Sequence, residues 1–283
     1  MVYAERYTHE FLFGTKYLFS LPMKNKLHNI TTDSIINPRY LKLHEFVLSL
    51  PETFDSLEQA IILRDIRNTI KSVSVEGEEL VIKSFAHPSL LNRYIYGKLR
   101  RSKSQRAYHF SQQLRELGFD TPEPIAAIDC FRGNRLIKSF YISQYSNYES
   151  FERVFEGALQ GKDITLLLDA LTDFLVALHE QGVMYNDLNI MNILYRKRED
   201  EGYDFQLLDT NRITFHRTLS KRQRIKDLRR LSCPPPIYCY ILNHYAEQVG
   251  YNAEDFELWG ILDRLMLVRR NRWKSKFKSI LHR

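Results

Sequence analysis

The stretch GVMYNDLNIMNILY (182–195) sets Asp187 five residues ahead of Asn192, with Asn189 between them, directly before Ile193, Leu194 and Tyr195, which read as a short strand. A polar turn rich in Asn and Asp would look like this. So would a loop for phosphoryl transfer. There an Asp accepts the proton of an attacking hydroxyl, an Asn five residues on holds a metal ion, and the loop turns back so that both face a phosphate. Downstream, FQLLDTNR (205–212) ends an apolar strand at Asp209, where a carboxylate can coordinate Mg²⁺ bridging the phosphates. Upstream, Lys83 lies inside the strand-like run LVIKSF (80–85), placed to grip the α- and β-phosphates of a nucleotide. Each residue alone has an ordinary reading: Lys83 a solvated edge lysine, Asp209 a strand-end turn residue, Asp187 with Asn192 a polar turn. Taken together, their order and spacing point to ATP-dependent phosphoryl transfer with Mg²⁺.

The elements predicted around these residues support that order. A short helix within 35–54, ended by Pro51, is followed by strands at 60–66, 69–75 and 79–85, the last two joined by a turn at 76–78. A basic helix over 102–117 closes at Gly118, and strands at 124–131 and 135–145 flank a turn at 132–134. The strongest helix covers 163–182, capped by Asp163 and ended by Gly182. Ile164, Leu167, Leu168, Leu171, Phe174, Leu175 and Leu178 form one apolar stripe along it. Further helices are predicted at 218–231, 237–249 and 253–268. Strands with one helix come first and helices with a small β region second, which predicts an α+β chain of two lobes with a hinge near 146. The expected division is a weakly organised extension over 1–33, an N-lobe over 34–146 and a C-lobe over 147–283 that ends in a basic tail.

Composition sets the bounds. The 283 residues are 44% hydrophobic, enough for a packed core, and carry a net charge of +7, which favours anionic partners without naming one. Cys130, Cys233 and Cys239 form no CxxC pair, which argues for a reducing compartment and against a zinc site. The early segment EFLFGTKYLFSLPM is interrupted by Lys16 and Pro22 and lacks a basic leader, so a signal peptide is not expected; Met1 and Met23 are both candidate starts.

The motifs VMYNDLNIMNILY, LLDTNR, LVIKSF and LRELGFDTPEPIAAI (114–128) resemble the Kdo/WaaP-type lipopolysaccharide kinase family, which has a bilobal protein-kinase-like fold. INPRYLKLHEFVLSLPE and IRNTIKS are similar to the leading segment of its Bacteroidetes-type members, and the resemblance runs from about Ile36 to about Leu231. It implies phosphorylation by ATP of a sugar hydroxyl, on Kdo or heptose, in the inner core of lipopolysaccharide. The acceptor would be the core or lipid A–Kdo, met at the cytoplasmic face of the inner membrane. Carried over, Lys83 would be the ATP lysine, Asp187 the catalytic base, and Asn192 with Asp209 the metal ligands. Three positions depart from the pattern. Tyr185-Asn186 stands where the family has His-Gly, and Tyr185 is expected to pack and hydrogen-bond where that His sits. Ile66 stands where a Gly is usual. His109 falls where a Glu normally pairs the ATP lysine.

Two other readings stay open at this point. The substitutions at 66 and 109 would suit a pseudokinase that binds nucleotide or regulates a partner. An atypical protein kinase of the RIO type has similar catalytic loops and RNA among its partners, but the TPEPIA segment argues against it, so nucleic acid is not the expected partner. The tail RRNRWKSKFK (269–278) interleaves Trp273 and Phe277 with cations and no acid, which suits an anionic membrane surface; the alternative is a tail folded back to bury its aromatics. Oligomeric state is left open.

Overall fold

The computed structural model describes residues 24–25, 30–66, 68–85, 100–151, 154–155 and 163–281. The chain divides into two compact units. One comprises residues up to 105 together with 125–143; the other comprises 106–124 together with 144 onward.

The first unit is built on a seven-stranded sheet. Its strands are β1 (Lys24–Asn25), β2 (Ile30–Ile36), β3 (Ile61–Asp65), β4 (Thr69–Val75), β5 (Glu78–Ser84), β6 (Pro124–Arg132) and β7 (Arg135–Gln144), in the order β1-β2-β6-β7-β5-β4-β3. The turn between β4 and β5 consists of Glu76 and Gly77 alone, both with positive φ (49° and 78°), the geometry that suits the twist of a tight hairpin. Alternation then sorts β5. Leu80 and Ile82 enter a core with Leu43, Val47, Leu50, Ile125, Phe140 and Ile142, and Lys83 lies on the other face.

Two expectations need correction here. Residues 30–33 are not part of a weakly organised extension: they belong to β2, which pairs antiparallel with β6 from Ile30↔Arg132 to Ile36↔Ala126. Pro51 does not end the first helix. A 3₁₀ turn, Pro38–Leu43, capped by Asn37, leads into α1 (His44–Thr53), and Pro51 sits inside its last turn. The missing N–H costs one bond there. The apolar face Leu43, Val47, Leu50, Phe54 continues past it into the core, and that burial carries the helix on.

Helix α2 (Lys103–Glu116) crosses the division between the units and ends, as expected, at Gly118, whose φ is +86°. In the second unit, α3 (Thr165–Glu180) buries Leu167, Leu168, Leu171, Leu175 and Leu178. β8 (Glu149–Ser150) precedes it; after it come β9 (Val183–Met184), β10 (Ile193–Lys197), β11 (Tyr203–Leu207) and β12 (Thr214–Phe215), then α4 (Lys221–Leu228) and α5 (Pro235–Val249). The last helix, α6, runs from Ala253 to Leu281, thirteen residues past its predicted end at 268. No Gly or Pro interrupts residues 261–281, and Leu, Met, Lys and Arg all propagate a helix.

Candidate functional site

The polar loop of the second unit is placed by two small β pairs. β9 pairs with β12 (Met184↔Thr214, Val183↔Phe215), and β10 pairs with β11 from Ile193↔Leu207 to Lys197↔Tyr203. The chain enters this arrangement through Gly182, at φ +70°, where an added Cβ would fall 1.9 Å from the His216 carbonyl oxygen. Only glycine fits so close an approach.

Within the loop, Asp187 and Asn192 are tied to each other and to the Asp209 segment. Asn192 Nδ2 donates to the Asp187 carbonyl (3.1 Å), and the Leu208 N–H donates to the Asn192 carbonyl (2.8 Å). Asn189 caps the 3₁₀ turn Ile190–Asn192 by accepting from the Met191 N–H. Asp209 opens a second 3₁₀ turn, Thr210–Arg212, and accepts from Asn211 Nδ2. That turn is moored to α2: Thr210 Oγ1 donates to the Ala107 carbonyl (3.1 Å) and shares a hydrogen bond with Ser111 Oγ (2.9 Å). Among the described residues, four that are not glycine have positive φ. Glu76 and Glu201 sit in strand-joining turns, while Asn186 (64°) and Asp209 (54°) belong to this site. Asn and Asp tolerate that conformation best, and it aims side chains where ordinary turns do not. Asn186 also secures the loop, its Nδ2 donating to the carbonyls of Met184 and Arg212 and to Thr214 Oγ1.

Sequence reasoning missed what supports the loop from beneath. Asp227 of α4 is fully buried and accepts from the N–H groups of Tyr185 (2.6 Å) and Asn186 (2.7 Å). Its Oδ2 lies 3.4 Å from His179 Nε2 of α3, and His179 Nδ1 shares a 2.9 Å bond with Tyr245 Oη. Arg224 continues the network, donating to Tyr245 Oη, Glu180 and the Leu219 carbonyl. The available signal was a lone acid on the apolar face of a basic helix. Arg212 and Arg230 were missed as well; both pair with the Asp187 carboxylate, at 3.2 and 3.5 Å.

Tyr185 is fully buried, but among the described residues its hydroxyl has no hydrogen-bond partner, against the expected bond. Burial, and behind it the charges of Asp209, Asp187 and Asp227, hold that phenol well above the ordinary tyrosine range.

Lys83 and His109 are placed on their own elements. Lys83 Nζ stands 5.3 Å from the Phe85 ring centroid, on the β5 face away from the core. A second strand lysine, Lys71, points the other way, is buried, and donates to the Phe54 carbonyl (2.6 Å) at the end of α1. His109 is half-buried on the part of α2 that belongs to the second unit, its ring edge-on to Tyr108 at 5.7 Å.

As to a metal, no group of three or more His, Cys, Asp or Glu side chains gathers as a cage among the described residues. Asn192 Oδ1 and the Asp209 carboxylate are hard oxygen donors on bonded neighbouring segments. Two such ligands fit Mg²⁺, which keeps waters and takes its remaining oxygens from phosphates.

Residues 67–234, more than half of the chain, match the family model of the lipopolysaccharide kinase (Kdo/WaaP) family. The chain belongs to that family. It is therefore a phosphotransferase, and its α+β architecture is the kinase-like one. A solved structure described as WaaP in complex with acyl carrier protein shares the fold, with 14% identity, a TM-score of 0.56, and coverage of 83% of this chain and 98% of that one. Amicoumacin kinase hAmiN, solved with AMP-PNP, Ca²⁺ and Ami, aligns at 11% identity and a TM-score of 0.49 over 81% of this chain and 89% of its own. No curated protein matches the sequence.

Proposed function

We propose that this Kdo/WaaP-family chain transfers the γ-phosphoryl group of ATP, with Mg²⁺, to a sugar hydroxyl of the lipopolysaccharide inner core, on Kdo or heptose. The observation that carries the reading is the mutual bonding of the Asp187, Asn192 and Asp209 segments over a buried brace. Asp187 would accept the hydroxyl proton. Asn192 and Asp209 would hold Mg²⁺, which neutralises charge on the phosphates, and Lys83 would grip the α- and β-phosphates. The test is transfer of labelled phosphate from ATP to delipidated core oligosaccharide. Asp187→Ala should cut transfer roughly 10²–10⁴-fold while the thermal shift with Mg·ATP survives; near-normal turnover in the folded variant would sink the assignment of the base.

His109 in place of the usual carboxylate favours a second reading, a nucleotide-binding pseudokinase. A neutral imidazole is a weaker partner for a lysine than a carboxylate. His109→Glu should raise nucleotide affinity if that position faces Lys83; an unchanged affinity in a stable variant speaks against the pairing.

The same proposal places the protein on an anionic membrane surface. No described helix is long and apolar enough to cross a bilayer. Instead α6 leaves Trp259, Leu262, Leu265, Met266 and Trp273 exposed, while Arg269, Arg270, Arg272 and Lys274 follow with no acid after Asp263. Exposed Trp273 argues against the folded-back tail; the Phe277 side chain lies outside the described residues. Each cation near such a surface contributes about 1 kcal/mol. Truncation after Val268 should release the protein from anionic liposomes at low salt and leave transfer to a soluble acceptor intact, and equal co-sedimentation of both forms would rule the docking role out.

A further inference from the structure

The Asp187 carboxylate is held by two guanidiniums. Arg212 ends the 3₁₀ turn that follows Asp209, and its Nη1 is 3.2 Å from Asp187 Oδ1. Arg230 lies just past the end of α4, and its Nη1 is 3.5 Å from the same oxygen. All three side chains are partly open to solvent, at 48%, 31% and 28% exposure for Arg212, Arg230 and Asp187. Among the described residues neither guanidinium has a second acidic partner. These three side chains together carry one net positive charge.

Both contacts are to Oδ1, so the second carboxylate oxygen can still accept a hydrogen bond from a hydroxyl, with two open guanidiniums beside it. An acceptor that also carries an anion near the reacting hydroxyl fits that arrangement. Guanidiniums present planar forks that match carboxylate or phosphate oxygens. With the acceptor's anion on the arginines, its neighbouring hydroxyl is held beside the Asp187 carboxylate. Position helps as well: Arg212 and Arg230 are carried by the two segments that frame Asp187, one moored to α2 through Thr210 and the other following the Asp227 brace.

We propose that Arg212 and Arg230 form an anion subsite for the sugar acceptor, so that acceptors bearing a carboxylate or a phosphate ester near the reacting hydroxyl are favoured over neutral ones. The inference rests on the reading of this site as a sugar kinase. It assigns acceptor specificity to two residues.

The experiment uses the full chain with three acceptors: the methyl glycoside of Kdo, the methyl ester of that glycoside, and a heptose phosphate. A bond between ionised groups is worth about ten- to a hundred-fold in binding. The wild type should show a KM for the ester at least about ten-fold above that for the acid. Arg212→Gln and Arg230→Gln should raise the KM of the acid by a similar factor, erase the preference over the ester, and leave the KM for ATP unchanged. Arg230→Lys should restore part of the preference, since a point charge replaces the fork. Preference for the heptose phosphate over the Kdo glycoside would assign the subsite to a phosphate ester, and the reverse order to a carboxylate. Equal KM for acid and ester in an active wild type overturns this inference alone. So does a rise in KM for ATP, or a fall in kcat with every acceptor, in the glutamine variants, because the arginines would then serve the transferred phosphoryl group. A wild type that binds Mg·ATP yet transfers phosphate to none of the three overturns the kinase reading beneath it.

Discussion

Asp227 in the second unit and Asp129 in the first are both withdrawn from water, and their surroundings treat them very differently. Asp227 meets two backbone N–H groups at 2.6 and 2.7 Å, held in place by the chain itself, and a histidine ring nearby. Asp129 on β6 receives the Ser104 hydroxyl on one oxygen (2.5 Å), while its other oxygen has no partner at ordinary hydrogen-bond geometry among the described residues. Its register neighbour on β2 is another acid, Asp33. Burial pushes the Asp129 carboxyl up to about 6 from an ordinary 3.8. The hydroxyls of Ser104, Ser102 and Ser139 pull it back, and Asp33 pushes it further up. A buried carboxylate is costly unless it is bonded. Here the well-bonded one lies under the loop that needs fixed geometry, and the poorly bonded one lies in a sheet that tolerates the cost.

The largest effect should come from removing the satisfied acid. Asp227→Ala leaves the Tyr185 and Asn186 N–H groups and His179 without their acceptor and should cost about 3–5 kcal/mol, read as a lower urea midpoint with phosphoryl transfer lost alongside. A midpoint within error of wild type would mean that water replaces the carboxylate and that the brace is dispensable.

Asp129→Asn should act in the opposite direction and depend on pH. The folded-state pKa lies above the unfolded value, so the native chain binds the proton more tightly. Stability from this group is full below about pH 4 and is lost as pH rises through about 6. Two pKa units correspond to about 3 kcal/mol. The asparagine variant should therefore be more stable than wild type at pH 7.5 by up to that amount and no more stable at pH 4. Parallel stability curves across this range would show that Asp129 does not titrate there.

A smaller effect extends the comparison to a neutral group. The Tyr185 hydroxyl is buried beside three carboxylates and has no partner among the described residues. Tyr185→Phe should stabilise by about 1 kcal/mol, since an unsatisfied polar group is removed and the ring stays. A loss of stability on chemical denaturation would reveal a hydroxyl contact that the fold depends on.

Much of the molecule follows from local rules of the chain. The 3–4 stripe from Leu167 to Leu178, the Glu76-Gly77 turn and the stop at Gly118 are short-range patterns, and α3, the β4–β5 hairpin and the end of α2 follow them. The spacing of Asp187 and Asn192 is local too, and the structure closes it with one hydrogen bond, from the Asn192 side-chain amide to the Asp187 carbonyl. Where local rules failed, burial decided: the apolar face beyond Pro51 outweighed one lost hydrogen bond, and β2 began at Ile30 because β6 offered it a partner edge. The brace under the loop and the arginines beside the base lay beyond sequence reasoning for a different reason. Asp227 meets Tyr185 and Asn186 across 42 and 41 residues, and Arg230 reaches Asp187 from just past the end of the same helix. The sequence by itself determined which residue types could do the chemistry and in what order they come. Only the tertiary structure decided which charges face them, because no periodicity links partners so far apart and helix packing alone brings them within hydrogen-bond reach.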